Sequence, residues 1–413
     1  MFALALLTAS AAALSFAPPV PLDPLHLLDG RLSLSFTAAA AAHGASILRV
    51  VLPELRATLA ALPAAPPPAA AEVEVEVLQF DLDAGWRGVS LGDGAGEACA
   101  RVRAGGALRV ACGGLLGLAY ALHELREGLA LALAGGGGSV GAAVAAFAAA
   151  GGRAGAPTFG LRPWSEEGQL LALPDRGFYT ADGAAADVAA IAGEAAALEA
   201  EVVPALLRLR MNALIVLHSD VEDYVTYDSL PSFLPGAPAI YAANATHRAR
   251  RAGVVGVMAP WIEHLAADFG LAFFFQVYEL SSPPGVCVPP AGGGGALLNC
   301  SLRAPATAAL LKAKYGELRA ALPSLAGVFV TVEDSWAPRA GYEFSVLWAG
   351  AAELPVAVTL FHDALVASAG LRMVFRLWLF GEPVDWPLLR DGTRECGARA
   401  RAHAPAPPRP RPP

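Results

Sequence analysis

The chain has 413 residues, 55% of them apolar, and a formal net charge of −8 from 29 basic and 37 acidic side chains. That length accommodates two domains, while the acidic balance, with Lys312 and Lys314 the only lysines, argues against a nucleic-acid partner. Much of the apolar content is alanine, and the uncharged run 128–152 is mostly Gly and Ala, so it lacks the transfer energy of a membrane span; no stable membrane insertion is expected.

The first 17 residues, within "MFALALLTASAAALSFAPP", read as a signal peptide with an apolar stretch over Phe2 to Leu14, although no basic residue precedes it. This predicts a secreted or lumenal protein. The sequons at Asn244 and Asn299 fit that route as glycosylation sites.

Residues 18–135 read as a small α+β unit of order β-α-β-β-β-α. "GRLSLSF" alternates as a strand, "ASILRVVLPELRATLAAL" has helical spacing, and "AEVEVEVLQF" alternates Glu with Val, the pattern of a strand with one wet face. In "EACARVRAGGALRVACGG" the Gly105-Gly106 pair marks a two-residue hairpin turn. That turn sets Cys99 opposite Cys112, within reach of a disulfide. Cys287 and Cys300 flank one Gly/Pro-rich loop as a second candidate pair, leaving Cys396 over. The other reading of all five cysteines is as small buried apolar residues. "GLLGLAYALHELREGL" then places Leu115, Leu118, Ala119, Leu122, Leu125 and Leu129 on one helical stripe. The Gly/Ala-rich stretch 136–158 reads as a linker or poorly ordered loop.

From 159 to 390 the pattern becomes strands alternating with long helices. Strands are expected at 176–180, 212–218, 271–280, 327–333 and 372–380, with helices over 186–209, 250–268, 304–320 and roughly 356–368. Continuous apolar strands separated by helices call for a parallel sheet covered by helices. The expected fold class is therefore α/β: an N-terminal α+β domain, then a (β/α)8-type TIM barrel, with a doubly wound open sheet as runner-up. Only about five barrel strands precede the Pro/Arg/Ala-rich tail 391–413, so the barrel reads as incomplete. No Gly-rich phosphate loop follows its first strand, and no His-x-x-x-His or clustered Cys/His spacing points to a metal, so neither cofactor nor metal is expected.

Polar residues gather where these strands end. Arg176 opens the first; His218 and Asp220 follow the second; Tyr278 and Glu279 close the third. Glu333, Asp334, Trp336 and Arg339 follow the fourth, and Trp378 lies in the fifth. The carboxyl ends of barrel strands are where active sites lie. Acids and aromatics converging there suit a carbohydrate: rings stack on apolar sugar faces, and a carboxylic acid protonates the leaving oxygen. Adjacent Glu333 and Asp334 repel, which raises the pKa of one of them and keeps a general acid protonated. The bland readings are a solvated Glu-Asp pair in a loop and a structural histidine at 218. Trp261 and Trp348 fit helical patterns and read as core.

These segments resemble two enzyme families. "EACARVRAGGALRVACGGLLGLAYALHEL", with Gly117, Leu118, Tyr120 and Leu122, is similar to the α+β domain that precedes the barrel in β-hexosaminidases and family 67 α-glucuronidases. "LRLRMNALIVLHSD" resembles their second barrel strand. "GVFVTVEDSW" lies where both families carry the general acid, and "FRLWLFGEPVDW" is similar to the fifth-strand segment of α-glucuronidases. The similarity runs over about residues 72–390. It implies a glycoside hydrolase with Glu333 or Asp334 as proton donor, a carbohydrate substrate, and Arg176, His218, Asp220, Tyr278, Glu279, Trp336, Arg339 and Trp378 as substrate contacts. Two departures stand out. Hexosaminidases carry Asp then Glu, the reverse of the order here, and the acids that follow later strands in α-glucuronidases have no counterpart. The alternative it leaves is a truncated or inactive carbohydrate-binding homologue.

Overall fold

The computed structural model describes residues 25–28, 32–36, 44–61, 73–80, 99–104, 107–112, 114–134, 140–150, 161–166, 184–217, 225–229, 245–278, 280–282, 301–332, 343–345 and 354–377. The fold is mixed α/β, with two five-stranded sheets.

The first sheet is built from β1 (Leu25–Leu28), β2 (Leu32–Phe36), β3 (Val73–Phe80), β4 (Cys99–Ala104) and β5 (Ala107–Cys112), in the order β1-β2-β3-β5-β4. Helix α1 (Ala45–Ala60) is the crossover between the parallel strands β2 and β3. Its Ile47, Leu48, Val51, Leu52, Leu55 and Leu59 form the buried stripe that its apolar spacing predicts. Strands β4 and β5 pair antiparallel with Ala104 opposite Ala107, so the register places Cys99 opposite Cys112, as the Gly105-Gly106 turn predicts. Cys112 is disulfide-bonded.

Helix α2 (Leu115–Ala134) follows, and all six residues of its predicted stripe are buried. The expected linker is corrected here. Within 136–158 lies a helix, α3 (Val140–Ala150), whose Val140, Ala143, Val144 and Phe147 are buried, and it packs on α2. Alanine has the highest helix propensity, so a Gly/Ala-rich stretch flanked by glycines still forms a helix when Val and Phe give it an apolar face.

The second sheet is entirely parallel, in the order β6 (Pro163–Glu166), β7 (Ala213–Leu217), β8 (Ala272–Tyr278), β10 (Gly327–Val332), β12 (Arg372–Leu377). The intervening helices are α4 (Ala184–Arg208), α5 (Ala245–Phe269), α6 (Pro305–Ala321) and α7 (Leu354–His362), the last running into a π-helical turn over Asp363–Ser368. Each strand neighbours the next one in sequence. A doubly wound sheet requires the order to reverse at a switch point, and no reversal occurs among the described strands.

The neighbour of β7 is Pro163–Glu166, whereas the expected strand at 176–180 lies outside the described residues. A strand of four residues opening on proline gives a weak alternation signal. Its position is held from the side: the Asn212 carboxamide oxygen accepts the Arg162 N–H at 2.7 Å, and the Arg162 carbonyl accepts the Asn212 N–H at 3.0 Å. Proline is tolerated as the first residue of the strand.

The two sheets share one hydrophobic core through their helices: α1 and α2 pack against α4 and α5. The Tyr120 hydroxyl donates to the Met211 carbonyl at 2.9 Å, just ahead of β7. Glu54 of α1 takes Arg126 of α2 at 2.5 Å and Arg208 of α4 at 2.9 Å. The "RMN" run ahead of β7 is thus a structural joint between the halves of the chain.

Gly327, at the start of β10, permits close strand packing. A Cβ there would lie 2.3 Å from the Arg372 carbonyl oxygen and 2.7 Å from the Phe274 ring. Backbone cannot yield as a flexible side chain can, so Gly327→Ala is expected to destabilise by at least about 1–3 kcal/mol, the usual cost of overpacking. Urea unfolding measures it; a stability equal to wild type would contradict the close approach.

Two histidines set opposite pH limits. Burial lowers the His123 pKa to about 4, against the attraction of Glu54 and with the help of Arg126, Arg208 and Arg210. Burial also acts to lower that of His264, but hydrogen bonds to Asp268 at 2.6 Å and Glu199 at 3.1 Å more than offset this and raise it to about 9. As pH falls from 6.5 toward 4, unfolded chains take up a proton that folded His123 refuses, so stability drops. As pH rises from 6.5 toward 9, folded His264 keeps a proton the unfolded chain has released, and its contribution fades. The stability the pair contributes is therefore expected to peak near pH 6.5. Denaturant midpoints across pH check this: His264→Gln should flatten the alkaline limb and His123→Leu the acid limb.

Candidate functional site

The parallel sheet has two chemically different faces. Toward the helices, Leu214, Val216, Phe273, Phe275, Val277, Val328 and Val330 enter the main core. On the opposite face Ala213, Ile215, Ala272, Phe274 and Phe329 form a separate small cluster, with Val374 packed against it. Alternation along each strand extends this second face to further positions.

Register then groups that face into rows across the strands. One row joins Ser165, Ile215, Phe274, Gly327 and Arg372. The next, nearer the carboxyl ends, joins Leu217, Gln276, Phe329 and Val374. The last joins Tyr278, Thr331 and Arg376. The face thus changes from mainly apolar to polar as it approaches the carboxyl edge. Gln276 is 2% exposed, a buried amide at that transition.

The loops leaving this edge are tied to each other. Glu279 is the single residue between β8 and β9 (Leu280–Ser282). The segment 333–342 leaves β10 at Val332 and re-enters regular structure at β11 (Glu343–Ser345), which pairs antiparallel with β9. The segment carrying Glu333, Asp334, Trp336 and Arg339 therefore starts at the sheet edge and ends beside Ser282, within a few residues of Glu279 along the chain.

The segment after β7 is pinned as well. The Glu317 carboxylate accepts the backbone N–H groups of Asp228 at 2.9 Å and Ser229 at 2.7 Å, while Arg251 pairs with Asp228 at 2.7 Å. Tyr227 is buried with a φ of 70°, in the left-handed region that non-glycine residues rarely adopt. The buried Lys314 lies 5.5 Å from the Tyr227 ring centroid, a cation–π arrangement. Glu317, Arg251 and Lys314 come from α5 and α6, so these helices hold residues 225–229.

Of the predicted residues, Tyr278 has its backbone in β8 and belongs to the polar row. Arg176, His218, Asp220, Glu279, Glu333, Asp334, Trp336, Arg339, Trp378, Cys287, Cys300, Asn244 and Asn299 lie outside the described residues. Chain connectivity still anchors four of them, because His218, Glu279, Glu333 and Trp378 are bonded to the last residues of β7, β8, β10 and β12. Trp261 is fully buried, as its helical pattern predicts. Sequence reading passed over Thr331 and Arg376, whose common row depends on register between strands. Sequence reading also finds no Gly-x-Ser-x-Gly pattern, and this is corrected: Gly88-Val-Ser90-Leu-Gly92 has that spacing. That pattern lies outside the described residues.

Among the described residues, no group of three or more His, Cys, Asp or Glu side chains could hold a metal ion, and no helix is long and apolar enough to cross a membrane.

No protein-family model matches the chain, and no curated protein matches it. Among solved structures it is similar to a GH138 enzyme targeting pectin rhamnogalacturonan II, at 12% identity and a TM-score of 0.40. The match covers 88% of this chain and 34% of that enzyme, so this chain spans about a third of its length. The class defined by the fold itself is a mixed α/β protein with sequentially ordered parallel strands.

Proposed function

We propose that the chain is a glycoside hydrolase acting on O-glycosidic bonds of a polysaccharide or glycan, with Glu333 or Asp334 as general acid. The observation that carries this reading is the sequential parallel order of β6, β7, β8, β10 and β12. Parallel strands put all their carboxyl ends on one edge, and His218, Glu279, Glu333 and Trp378 each continue directly from such an end. Acids and a tryptophan leaving one edge on adjacent strands supply what glycoside hydrolysis needs: a proton donor, a second carboxylate, and a ring for the apolar sugar face. The motif order resembling α-glucuronidases and β-hexosaminidases supports the same reading.

A panel of aryl hexosaminides, glucuronides and glucosides tests it. Release of the aryl alcohol from any of them supports hydrolysis and names the sugar. Saccharide binding without turnover replaces the reading with a non-catalytic carbohydrate-binding protein, and neither binding nor turnover removes it. A secretory route belongs to the same proposal, with Cys99 as the disulfide partner of Cys112. Cys99→Ser should then free the Cys112 thiol to alkylation, and an unreactive Cys112 in that variant would exclude the pairing.

A further inference from the structure

We propose that the joint between the two halves of the chain is an acid-operated latch built from His123 and Glu54. At neutral pH the pair holds α1 and α2 against α4. A proton taken up there lets them part while the parallel sheet keeps its strand pairing. The device is independent of any glycosidase chemistry at the carboxyl edge.

The geometry leaves no place for an added charge. His123, on α2, is 0% exposed, and among the described residues neither of its ring nitrogens has a hydrogen-bond partner. The Glu54 carboxylate of α1 lies 3.8 Å away. That carboxylate is already committed to Arg126 of α2 at 2.5 Å and to Arg208 of α4 at 2.9 Å. Arg210, just past α4, pairs with Glu124 at 3.8 Å and Glu127 at 3.6 Å, both on α2. Arg162 adds a further positive charge, donating to the Arg210 carbonyl at 2.6 Å and the Tyr120 hydroxyl at 3.4 Å. Helix α3, which also packs on α2, has no titratable side chain.

A proton arriving here has two places to go, and either one weakens the joint. On His123 it makes a buried cation with no acceptor bonded to it, which is unfavourable. Burial accordingly lowers the His123 pKa to about 4, opposed by Glu54 and helped by Arg126, Arg208 and Arg210. On Glu54 the proton removes the acceptor that ties Arg126 to Arg208, and so α2 to α4. In the parted form His123 takes its proton at the ordinary 6.5, so that form gains on the joined one as pH falls from 6.5 toward 4. The contact between α4 and α5 responds differently. His264 there is held between Glu199 and Asp268 with its pKa raised to about 9, so it already carries its proton at neutral pH. The side chains that β7, β8 and β10 send into the main core, from Leu214 to Val330, are apolar and do not titrate.

Hydrogen exchange read segment by segment on the full chain, with rates corrected for pH, tests the latch at about pH 7.5 and about pH 4.5. The two His123 pKa values predict exchange on the order of 10–100-fold faster at the lower pH in α1, α2 and the end of α4. Strands β7, β8 and β10 should stay within about threefold. His123→Leu should remove most of the rise, and His123→Gln, neutral at both pH values, serves should the leucine variant fold poorly. Glu54→Gln should speed exchange in the same segments already at the higher pH. No rise in wild type, an equal rise in β7, β8 and β10, or an unchanged rise in both His123 variants overturns the latch. A Glu54→Gln protein as well protected as wild type at the higher pH overturns it too.

Discussion

Glu333→Gln is expected to lower kcat by about 10²–10⁴-fold, the range that general acid catalysis contributes, while leaving the unfolding midpoint where it is. The substitution keeps shape and hydrogen bonding but removes the transferable proton, so a loss confined to kcat isolates proton donation from binding. The residue continues directly from Val332, the last residue of β10. Asp334→Asn is the necessary companion. Either residue is proposed as the acid, so the two substitutions are compared. The larger loss identifies the acid, and the smaller identifies the residue that shifts it. The alkaline limb of the pH–rate profile should vanish only in the variant lacking the acid. An aryl glycoside with a good leaving group needs little protonation, so the deficit should shrink on such substrates. A deficit independent of leaving group would point to distortion instead. Full activity in both variants would remove these residues from the mechanism.

Trp261→Ala is expected to cost about 3–5 kcal/mol of folding stability, the range for emptying a large aromatic site in a core. Trp261 is fully buried on α5, edge-on to Phe273 with ring centroids 5.3 Å apart; Phe273 in turn meets Phe275 edge-on at 5.3 Å. These rings join α5 to β8, the middle strand of the parallel sheet. Among the described residues the buried indole N–H has no hydrogen-bond partner. An unmade hydrogen bond in a buried site is itself unfavourable, so Trp261→Phe removes that penalty while keeping much of the ring contact. Its cost should fall well below that of alanine. Chemical denaturation of both variants decides the matter: equal losses would mean that the indole nitrogen, rather than ring volume, accounts for the stability.

Much of the architecture is written in local pattern, because a helix or strand needs only its own periodicity to be read. The stripe Leu115 to Leu129 predicts a buried helical face, and α2 buries it. The Gly105-Gly106 turn predicts the Cys99–Cys112 register, because a two-residue turn leaves one way to align the strands. Where periodicity was diluted the reading missed. Alanine and glycine between 140 and 150 masked a helix whose apolar contacts come from α2, and the four residues of β6 are too few to alternate visibly.

The sequence by itself determined the alternation of strands and helices and the acids that follow the strands, because each is a property of neighbouring residues along the chain. Only the tertiary structure decided that the parallel strands stand in sequential order, and that Tyr278, Thr331 and Arg376 share one row. Strand order and register come from hydrogen bonds between segments some 50 residues apart, and a shift of one residue would move every side chain to the other face. No local pattern encodes that choice. It is made when the apolar faces of β7, β8 and β10 close onto the helices and leave the opposite face, with its polar row, at the carboxyl edge.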